Sequence, residues 1–514
     1  MIGRWIDWCA RNRFLVFTAT LSLVLAGIWT IGRIPLDALP DISDVQVIIH
    51  TAWDEPPNII EDQVTFPIVT ALLAAPSVKA VRAQTMFGDS YVFVVFEDST
   101  DLYWARSRVL EYLQQIRGRL PMGVNPTIGP DATGAGWVYE YLVVDHNRRY
   151  SLADLRSLQD WFLRYQIATV PGVAEVASIG GFVRQYQVRL DPDKLRAYNI
   201  PLSTIIDRVR DSTNEVGGRL IELGGAEYMI RGLGYLRSLS DLETVPVASK
   251  NGTAVLVRDL GSVSFGPDIR RGVAEWNGEG ETVGGIVVMR YGQNALNVIS
   301  GVKQKIAQIS ASLPPGVELV SGYDRSGLID ASIDTLKGDL IEEAVIVSVV
   351  IIVFLFHFRS AFIPILALPV AVIASFIPMY YLRVSSNIMS LGGLALAIGV
   401  LVDAGIVMVE NGYRHLSEAQ QAAASEPNPR DISRRERRKI LLDAAKQVAP
   451  ALFFSLLIIV VSFLPVFMLE AQEGRMFRPL AWTKTLAVGF SSLLAITLVP
   501  PLMLMFIRGR LRPE

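Results

Sequence analysis

The segment LAIGVLVDAGIVMVEN, Leu396–Asn411, carries the acidic residue Asp403 in the middle of an otherwise apolar run. An ionised carboxylate near the centre of a bilayer costs roughly 2.5–3.5 kcal/mol on insertion scales, so such residues are usually functional. Desolvation raises the pKa of a buried carboxyl group, which can then hold and release a proton near neutral pH. Asp403 is therefore a candidate proton carrier. The alternative is a structural acid that pairs with a base or lines a helix contact.

Glu410 is a second acid on the same predicted helix. It follows Asp403 by seven residues, which places the two side chains about 20° apart around the helix axis and on one face. Small residues between positions 392 and 399 would allow a neighbouring helix to approach closely. We interpret both acids as parts of one proton relay, although Glu410 is close enough to the end of the run to reach the aqueous interface instead.

The apolar residues of this 514-residue chain are concentrated in a few blocks, and its net charge of −2 does not suggest a nucleic-acid partner. The first block has no small-residue cleavage site after it, which favours a retained anchor over a secretory signal. The chain between residues 33 and 338 has the composition of a soluble domain. Six blocks are long enough to cross about 30 Å of hydrocarbon: Phe14–Ile31, Leu340–Phe356, Ala361–Leu382, Ile388–Val409, Val448–Leu469 and Leu486–Ile507.

The distribution of basic residues between the short loops predicts the orientation. Lys and Arg are concentrated in the loop at 413–447 and in the C-terminal tail, and both fall on the same side as the N-terminus. We therefore expect cytoplasmic termini and an external domain of about 300 residues after the first block. Because the single cysteine, Cys9, lies on the cytoplasmic side, this domain would contain no disulfide. The tail residues counted here are Arg508, Arg510 and Arg512.

The external domain contains an internal repeat with an insertion. APSVKAV (Ala75–Val81) recurs as VPGVAEV (Val170–Val176), and LPMGV (Leu120–Val124) recurs as LPPGV (Leu313–Val317). Each copy predicts the β-α-β-β-α order of a split βαβ unit, which is the ferredoxin-like arrangement. The inserted part, about 182–275, includes GGRLIELGGAEYMIRG, which is typical of a hairpin. The predicted elements are Val45–Trp53, Asn58–Ala74, Val78–Ala83, Tyr91–Phe96 and Leu102–Arg117 in the first copy, and Val138–Asp145, Leu152–Val170, Val173–Ser178, Val283–Arg290 and Ala295–Leu313 in the second.

Several long segments closely resemble the N-terminal half of the heavy-metal efflux branch of the resistance-nodulation-cell division (RND) transporters, and specifically the CusA-type copper/silver pumps. The resemblance extends over essentially the whole chain. It implies an α+β membrane protein with six transmembrane helices and a large periplasmic porter domain. The segments that carry it are IPLDALPDISDVQV, FGDSYVFVVFED, YWARSRVLEYLQQ, GPDATGAGWVYEY, LADLRSLQDWFL and NIMSLGGLALAIGVLVDAGIVMVEN.

The resemblance also implies a division of the chain into domains. In this family the two split βαβ units form porter subdomains, and the insertion forms a docking subdomain that meets a periplasmic partner. The implied divisions are a first transmembrane helix at 1–32, porter subdomain 1 at 38–135, porter subdomain 2 at 136–181 and 276–335, the docking subdomain at 182–275, and helices two to six at 339–507.

The family's proton relay matches Asp403, with basic partners supplied by a second half that this sequence does not contain. Within the six blocks there is no Lys or Arg, and Lys484 falls just outside the sixth. We therefore expect a transporter rather than an enzyme, driven by the proton-motive force without a bound cofactor. The expected partners are a C-terminal half, two further copies in a homotrimer, a periplasmic adaptor, an outer-membrane channel and the lipid of a bacterial inner membrane.

The expected cargo is Cu(I) or Ag(I), for which the thioether of methionine is a suitable soft ligand. Met389, Met408 and Met503 lie in or beside the blocks and are candidate ligands, although methionine is also a common packing residue. The chain departs from a complete methionine relay, because Leu401, Val488 and Ile269 occupy places where methionine would be expected. Divalent Zn, Co or Ni is the alternative cargo.

Two readings from other classes remain open. An export accessory of the SecD/SecF kind shares six spans and a large loop, and would bind unfolded chains. A membrane scaffold that transports nothing would not need Asp403. The sequence ends where a full exporter would begin its second repeat, so we expect either a fragment or the product of a split gene.

Overall fold

The computed structural model describes residues 2–214, 216–232, 234–250, 252–270, 272–355, 357–425 and 430–508. Phe356, Arg510 and Arg512, which entered the predictions of spans and orientation, lie outside the described residues. The chain begins with two helices, α1 (Ile2–Arg11) and α2 (Arg13–Ile31). The side chains of α2 are apolar on all sides of the helix, as in a membrane span. Helix α1 is amphipathic and packs on the helices of the bundle described below.

The first sheet has the antiparallel strand order β2-β3-β1-β4, in which two helices connect the strands. This is the strand order of a split βαβ unit. The predicted Asn58–Ala74 helix is present but contains a π-turn, Glu61–Thr65, between α3 and α4. The elements are β1 (Gln46–Ala52), α3 (Pro57–Ile60), α4 (Phe66–Leu73), β2 (Val78–Met86), β3 (Asp89–Phe96), α5 (Leu102–Ile116) and β4 (Thr127–Ile128).

The second unit starts in the same way, with β5 (Trp137–Asp145), α6 (Leu152–Leu158), α7 (Arg164–Ala168) and β6 (Val173–Gly180). Ser151 and Asp154 form a capping box at the start of α6, which fixes where that helix begins. A π-turn again interrupts the helix, here at Gln159–Leu163.

The insertion then forms a small α/β body with its own apolar core. Strand β7 pairs with β12, β10 with β11, and β8 with β9. The hairpin β8–β9 turns at Gly224 and Gly225, whose φ angles of 62° and 78° suit a type I′ turn. Its elements are β7 (Arg184–Leu190), α8 (Pro192–Tyr198), α9 (Leu202–Asp211), β8 (Val216–Leu223), β9 (Ala226–Gly232), α10 (Leu239–Glu243), β10 (Pro246–Lys250), β11 (Thr253–Leu256), α11 (Val257–Leu260) and β12 (Gly261–Pro267).

The chain returns to the second unit through β13 (Ala274–Glu275), β14 (Glu281–Met289), α12 (Ala295–Ile309) and β15 (Val317–Asp324). Strand β14 pairs with both β5 and β6, and β15 pairs with β5. The resulting order β6-β14-β5-β15 repeats the order of the first sheet. The two halves of the repeat therefore have the same topology, with about 100 residues inserted in the second.

The remaining helices form a bundle around α15, which contacts every other helix of this group. Five helical segments among the described residues are long and apolar enough to cross a membrane: Arg13–Ile31, Phe358–Tyr381, Ile388–Ala424, Arg434–Met468 and Ala471–Thr497. The helices of the bundle are α13 (Arg325–Leu355), α14 (Phe358–Tyr381), α15 (Ile388–Ala424), α16 (Arg434–Ser462), α17 (Ala471–Thr497) and α18 (Val499–Phe506).

The second predicted block lies in α13 but is not among these five segments. The last 18 residues of α13 include Asp339, Glu342 and Glu343, so they are more charged than an ordinary span. Apolar side chains nevertheless project from this part of α13, among them Val349 (53% exposed) and Phe354 (79% exposed). A sixth span remains a prediction.

Two boundaries differ from the sequence-based expectations. The sixth block is divided between α17 and α18, because the helix breaks at Leu498 ahead of Pro500 and Pro501. The loop expected at 413–447 is largely helical, since α15 continues to Ala424 and α16 starts at Arg434 behind the Ser433 cap.

Candidate functional site

Asp403 lies on the side of α15 that no other helix covers within the described part of the chain, and its side chain is exposed. The residues on either side of it, Val402 and Ala404, are buried against the bundle. Among the described residues Asp403 has no hydrogen-bond or ion-pair partner. The expectation of a buried carboxylate is therefore wrong for this chain taken alone, because the face that carries Asp403 points away from the other helices.

Glu410 lies on the same face as Asp403, as the helical spacing predicts. Exposed residues recur here at intervals of three or four, which is the spacing of a seam between two packed helices. Gly392 and Gly399 have no atom within 4 Å of the position that a Cβ would occupy, so the space beside them is open. We call this face of α15 the open stripe: Gly392, Leu396, Gly399, Asp403, Val407 and Glu410.

Helix α17 runs parallel to α15 with a constant offset of 90 positions. Ser491 Oγ donates to Leu401 O at 2.9 Å, and Gly393 lies against Thr483. Lys484 is therefore level with Leu394, nine residues or about 14 Å from Asp403 along the axis. Lys484 belongs to the same helix as the sixth block, since α17 extends N-terminally to Ala471, but it precedes the apolar run of that helix. Lys484 is still too far along the helix to pair with Asp403.

Two of the three candidate methionines, Met408 and Met503, lie in the same part of the helix bundle. Met408 and Met503 are both fully buried in one core, and a Cβ on Gly412, one turn after Met408, would touch the Met503 methyl group. Met389 is 19 residues from Met408 on the same helix, about 29 Å away. Leu401 and Val488 are core residues, whereas Ile269 is 61% exposed after the insertion's last strand. No group of three or more His, Cys, Asp or Glu that could hold a metal ion occurs among the described residues.

The residues just before and at the start of α15 are hydrogen-bonded to the linker that leads from α2 into the first sheet. Ser386 N donates to Pro35 O at 2.9 Å, and Ile388 N donates to Ala38 O at 3.1 Å. Asp37 in this linker pairs with Arg325, the first residue of α13, at 2.8 Å. Burial raises the pKa of the Asp37 carboxyl group above its ordinary value, even though the Arg325 charge acts in the opposite direction.

A second connection joins α17 to the first unit. Arg475 is mostly buried and pairs with Asp98 and, at 3.0 Å, with Asp44, while Ala471 N donates to Asp98 at 2.9 Å. Burial alone would raise the pKa of Asp98, but the hydrogen bonds from Arg475 and Ala471 outweigh it and hold the pKa below its ordinary value. Sequence patterns do not reveal this cluster, because Arg475 and Asp44 are 431 positions apart and no local pattern relates them.

The sequence is similar to known transport proteins over nearly its whole length. A family model described as the AcrB/AcrD/AcrF family matches residues 6–514. The cation efflux system protein CusA of Escherichia coli (strain K12) is 52% identical over 99% of this chain and 49% of its own length. The putative cation efflux system protein SilA of Salmonella typhimurium is 50% identical over the same shares. The cobalt-zinc-cadmium resistance protein CzcA of Cupriavidus metallidurans is 37% identical over 99% of this chain and 48% of its own length.

The fold is also similar to a solved structure. The crystal structure of a heavy metal efflux pump, in its crystal form II, superimposes with a TM-score of 0.83 at 29% identity, covering 96% of this chain and 48% of that one. The chain therefore spans about half the length of the relatives and of the solved structure that it matches.

Proposed function

Because the chain belongs to the AcrB/AcrD/AcrF family, the RND transporters, and not to a family of enzymes, we propose that it is the N-terminal half of a proton-driven heavy-metal exporter. Asp403 is the proton carrier of this half and Glu410 lies on its path. The exporter resides in a bacterial inner membrane with cytoplasmic termini and six spans in this half. Its two split βαβ units act as porter subdomains, and the insertion acts as a docking subdomain.

The open stripe is the observation that supports this proposal. Asp403 is exposed on a helix that is otherwise surrounded by its own bundle, and a carboxylate is costly against lipid. The glycines of the stripe leave room for a helix to approach closely. The second half of the transporter covers the stripe and supplies the basic partner that this half lacks among its described residues.

The proposed cargo is Cu(I) or Ag(I). Identity is 50–52% to the two cation efflux proteins and 37% to the cobalt-zinc-cadmium resistance protein, which places the chain nearer the former. Met408 and Met503 supply two buried thioethers in the same part of the bundle, where the described residues include no group of three or more His, Cys, Asp or Glu that could hold a metal ion. Met389 binds the metal ion at a separate point of the transport path. A homotrimer with a periplasmic adaptor and an outer-membrane channel would complete the assembly.

Metal export from cells or inverted vesicles tests the proposal. The chain is expressed alone and with a C-terminal half, as wild type and as Asp403→Asn, with Cu(I), Ag(I) and Zn(II). Export is expected only from the pair, and the Asn variant is expected to abolish it because it cannot exchange a proton. Glu418→Gln removes a charge from the same helix outside the apolar run, and should leave export unchanged.

Substitution of the methionines separates the cargo from the energy source. Met408→Leu keeps the packing volume and removes the thioether, so it should reduce Cu(I) and Ag(I) export while the Asp403-dependent proton flux persists. Export of Zn(II) alone by the wild-type pair would favour the divalent cargo. Export by the pair that survives Asp403→Asn would refute the proton relay.

A further inference from the structure

Four arginines gather at the end of the bundle where α2 and α16 begin and where the chain leaves α18. Arg13 is the first residue of α2, Arg437 and Arg438 lie at the start of α16, and Arg508 follows α18. Arg13 is within electrostatic range of Arg438 and Arg508, and Arg437 is within range of Arg508. We call these four residues the basic corner.

The packing beneath the basic corner explains why the four arginines lie at the same end of the bundle. Around Gly412 on α15, Leu441 and Ile507 lie 3.4 Å and 3.9 Å from the position of a Cβ. Leu441 is one turn after Arg437, and Ile507 immediately precedes Arg508. Helix α1, which leads into Arg13, packs against both α16 and α18. The buried contacts therefore fix the positions of the backbones that carry the charges.

The basic corner has no internal counter-charge in the part of the chain that the structure describes. Among the described residues none of its four arginines forms an ion pair, whereas nearby acids are already engaged: Glu436 with Arg430 at 2.9 Å, and Asp7 with Lys446 at 2.7 Å. Like charges held close together repel one another, and the repulsion grows where water is partly excluded. An external anion would relieve that repulsion.

Bare apolar surface adjoins the arginines on the side of α2. Phe14 and Leu15, directly after Arg13, are 85% and 51% exposed. On α1 the rings of Trp5 and Trp8 stack at 5.3 Å and remain 48% and 41% exposed, as is typical of aromatic residues at a membrane surface. A soluble anion would leave this apolar surface exposed to water, whereas the acyl chains of a lipid would cover it.

We propose that the basic corner binds the phosphate group of an anionic phospholipid whose acyl chains lie along the exposed side of α2. The planar guanidinium group donates two parallel hydrogen bonds to phosphate oxygens, and basic pockets between membrane helices are known to hold such headgroups. The proposal does not depend on the cargo or on the proton relay.

Native mass spectrometry of the delipidated 514-residue chain, titrated with phosphatidylglycerol, tests this site. Arg437→Gln with Arg508→Gln should weaken binding by about tenfold or more, because two of the four donors are lost. The matched control is Arg435→Gln with Lys439→Gln, which removes the same charge from exposed positions of α16 and should change binding less than about twofold.

The source of the phosphate is tested in the same titration. Phosphatidylcholine should bind at least about tenfold more weakly, and inorganic phosphate or glycerol phosphate should not displace the bound lipid. Equal losses in the two double variants, or displacement by inorganic phosphate, would overturn the proposal. Arg508→Gln alone, at an exposed position beyond the last helix, gives a partial loss even if the double variant does not fold.

Discussion

The hydroxyl group of Tyr141 is buried under the second sheet and donates to Gln159 Oε1 at 2.8 Å. Gln159 lies in the π-turn between α6 and α7, and its amide nitrogen also donates to Ser178 Oγ at 3.3 Å. Tyr141 occupies its position because Gly285, its cross-strand neighbour, leaves room for the ring. A single buried hydrogen-bond chain therefore joins two strands and the helix of this unit.

Tyr141→Phe should destabilise the second unit by about 1–3 kcal/mol, since the Gln159 carbonyl oxygen would lose its donor in a buried place. Amide hydrogen exchange of β5 and the thermal unfolding midpoint measure this effect. Tyr323→Phe, on the neighbouring strand and 42% exposed, is the control and should change neither quantity. Equal effects of the two substitutions would show that the Tyr141 bond contributes nothing specific.

Cys9 is also buried, and burial raises the pKa of its thiol above the ordinary value. Because only the thiolate is nucleophilic, the native protein should react with maleimide or iodoacetamide much more slowly than a free thiol at neutral pH, and faster as pH rises. Mass spectrometry of timed samples measures the rate. Rapid labelling of folded protein would mean that α1 detaches from the bundle.

At the residue scale the sequence sufficed to predict that Asp403 and Glu410 share one side of a helix, because helical geometry fixes which residues share a face. It could not show that this face is uncovered, since coverage depends on where the other helices pack. Met408 and Met503 show the same limit, because 95 positions separate them and only tertiary packing buries both in one core.

The glycines of α15 differ in what surrounds them, and this difference belongs to the scale of the element. A Cβ on Gly393 would lie 2.6 Å from Leu480 O and would also strike Thr483, whereas a Cβ on Gly392 would meet nothing within 4 Å. One glycine therefore sets the distance between α15 and α17. The neighbouring Gly392 belongs to the open stripe instead.

Gly393→Ala should lower the thermal stability of the chain by about 1–3 kcal/mol, because backbone rather than a flexible side chain must move. Gly392→Ala is the matched control and should leave the stability of this chain unchanged. In the presence of a C-terminal half, Gly392→Leu should instead weaken the association of the halves, measured by co-purification. Unchanged association would mean that another face of the bundle forms the contact.

Element boundaries were predictable where the local signal was strong. The repeat, the strands of both units and the hairpin at Gly224 and Gly225 all follow from alternation and turn residues. The limits of the membrane helices were less predictable, because hydropathy locates uncharged runs rather than helix ends. Helix α17 illustrates this, since it carries Glu473, Arg475 and Lys484 before the apolar run begins.

At the scale of the whole molecule, the contacts of Arg475 join the bundle to the first split βαβ unit. Arg475→Gln should loosen this junction, because Asp44 and Asp98 would lose their cationic partner. Hydrogen exchange at the start of α17 should increase, and export by the paired halves should fall although Asp403 is intact. Arg478→Gln, one turn along the same helix, is the control. No change in exchange for Arg475→Gln would contradict the role of the junction.

The pH dependence of this junction follows from the lowered pKa of Asp98. A carboxyl group with a lowered pKa in the folded state contributes stability that is complete above its unfolded value of about 3.9 and is lost only as pH falls below that value. The junction should therefore be equally protected at pH 7 and pH 5. Asp98→Asn should already expose the amide of Ala471 at pH 7, and hydrogen exchange at that amide distinguishes the two cases.

The backbone hydrogen bonds between the Pro35–Ala38 linker and the start of α15 hold this end of the helix in place. A helix held at one end cannot slide along its axis, so the motion left to it is tilting or rotation about that end. Helix α15 has 37 residues and is about 55 Å long. A tilt of about 5° would move Asp403 by about 2 Å and the far end by about 5 Å, because displacement grows with distance along the lever arm. Any displacement at mid-helix would then be larger towards Ala424 and smaller at the linker.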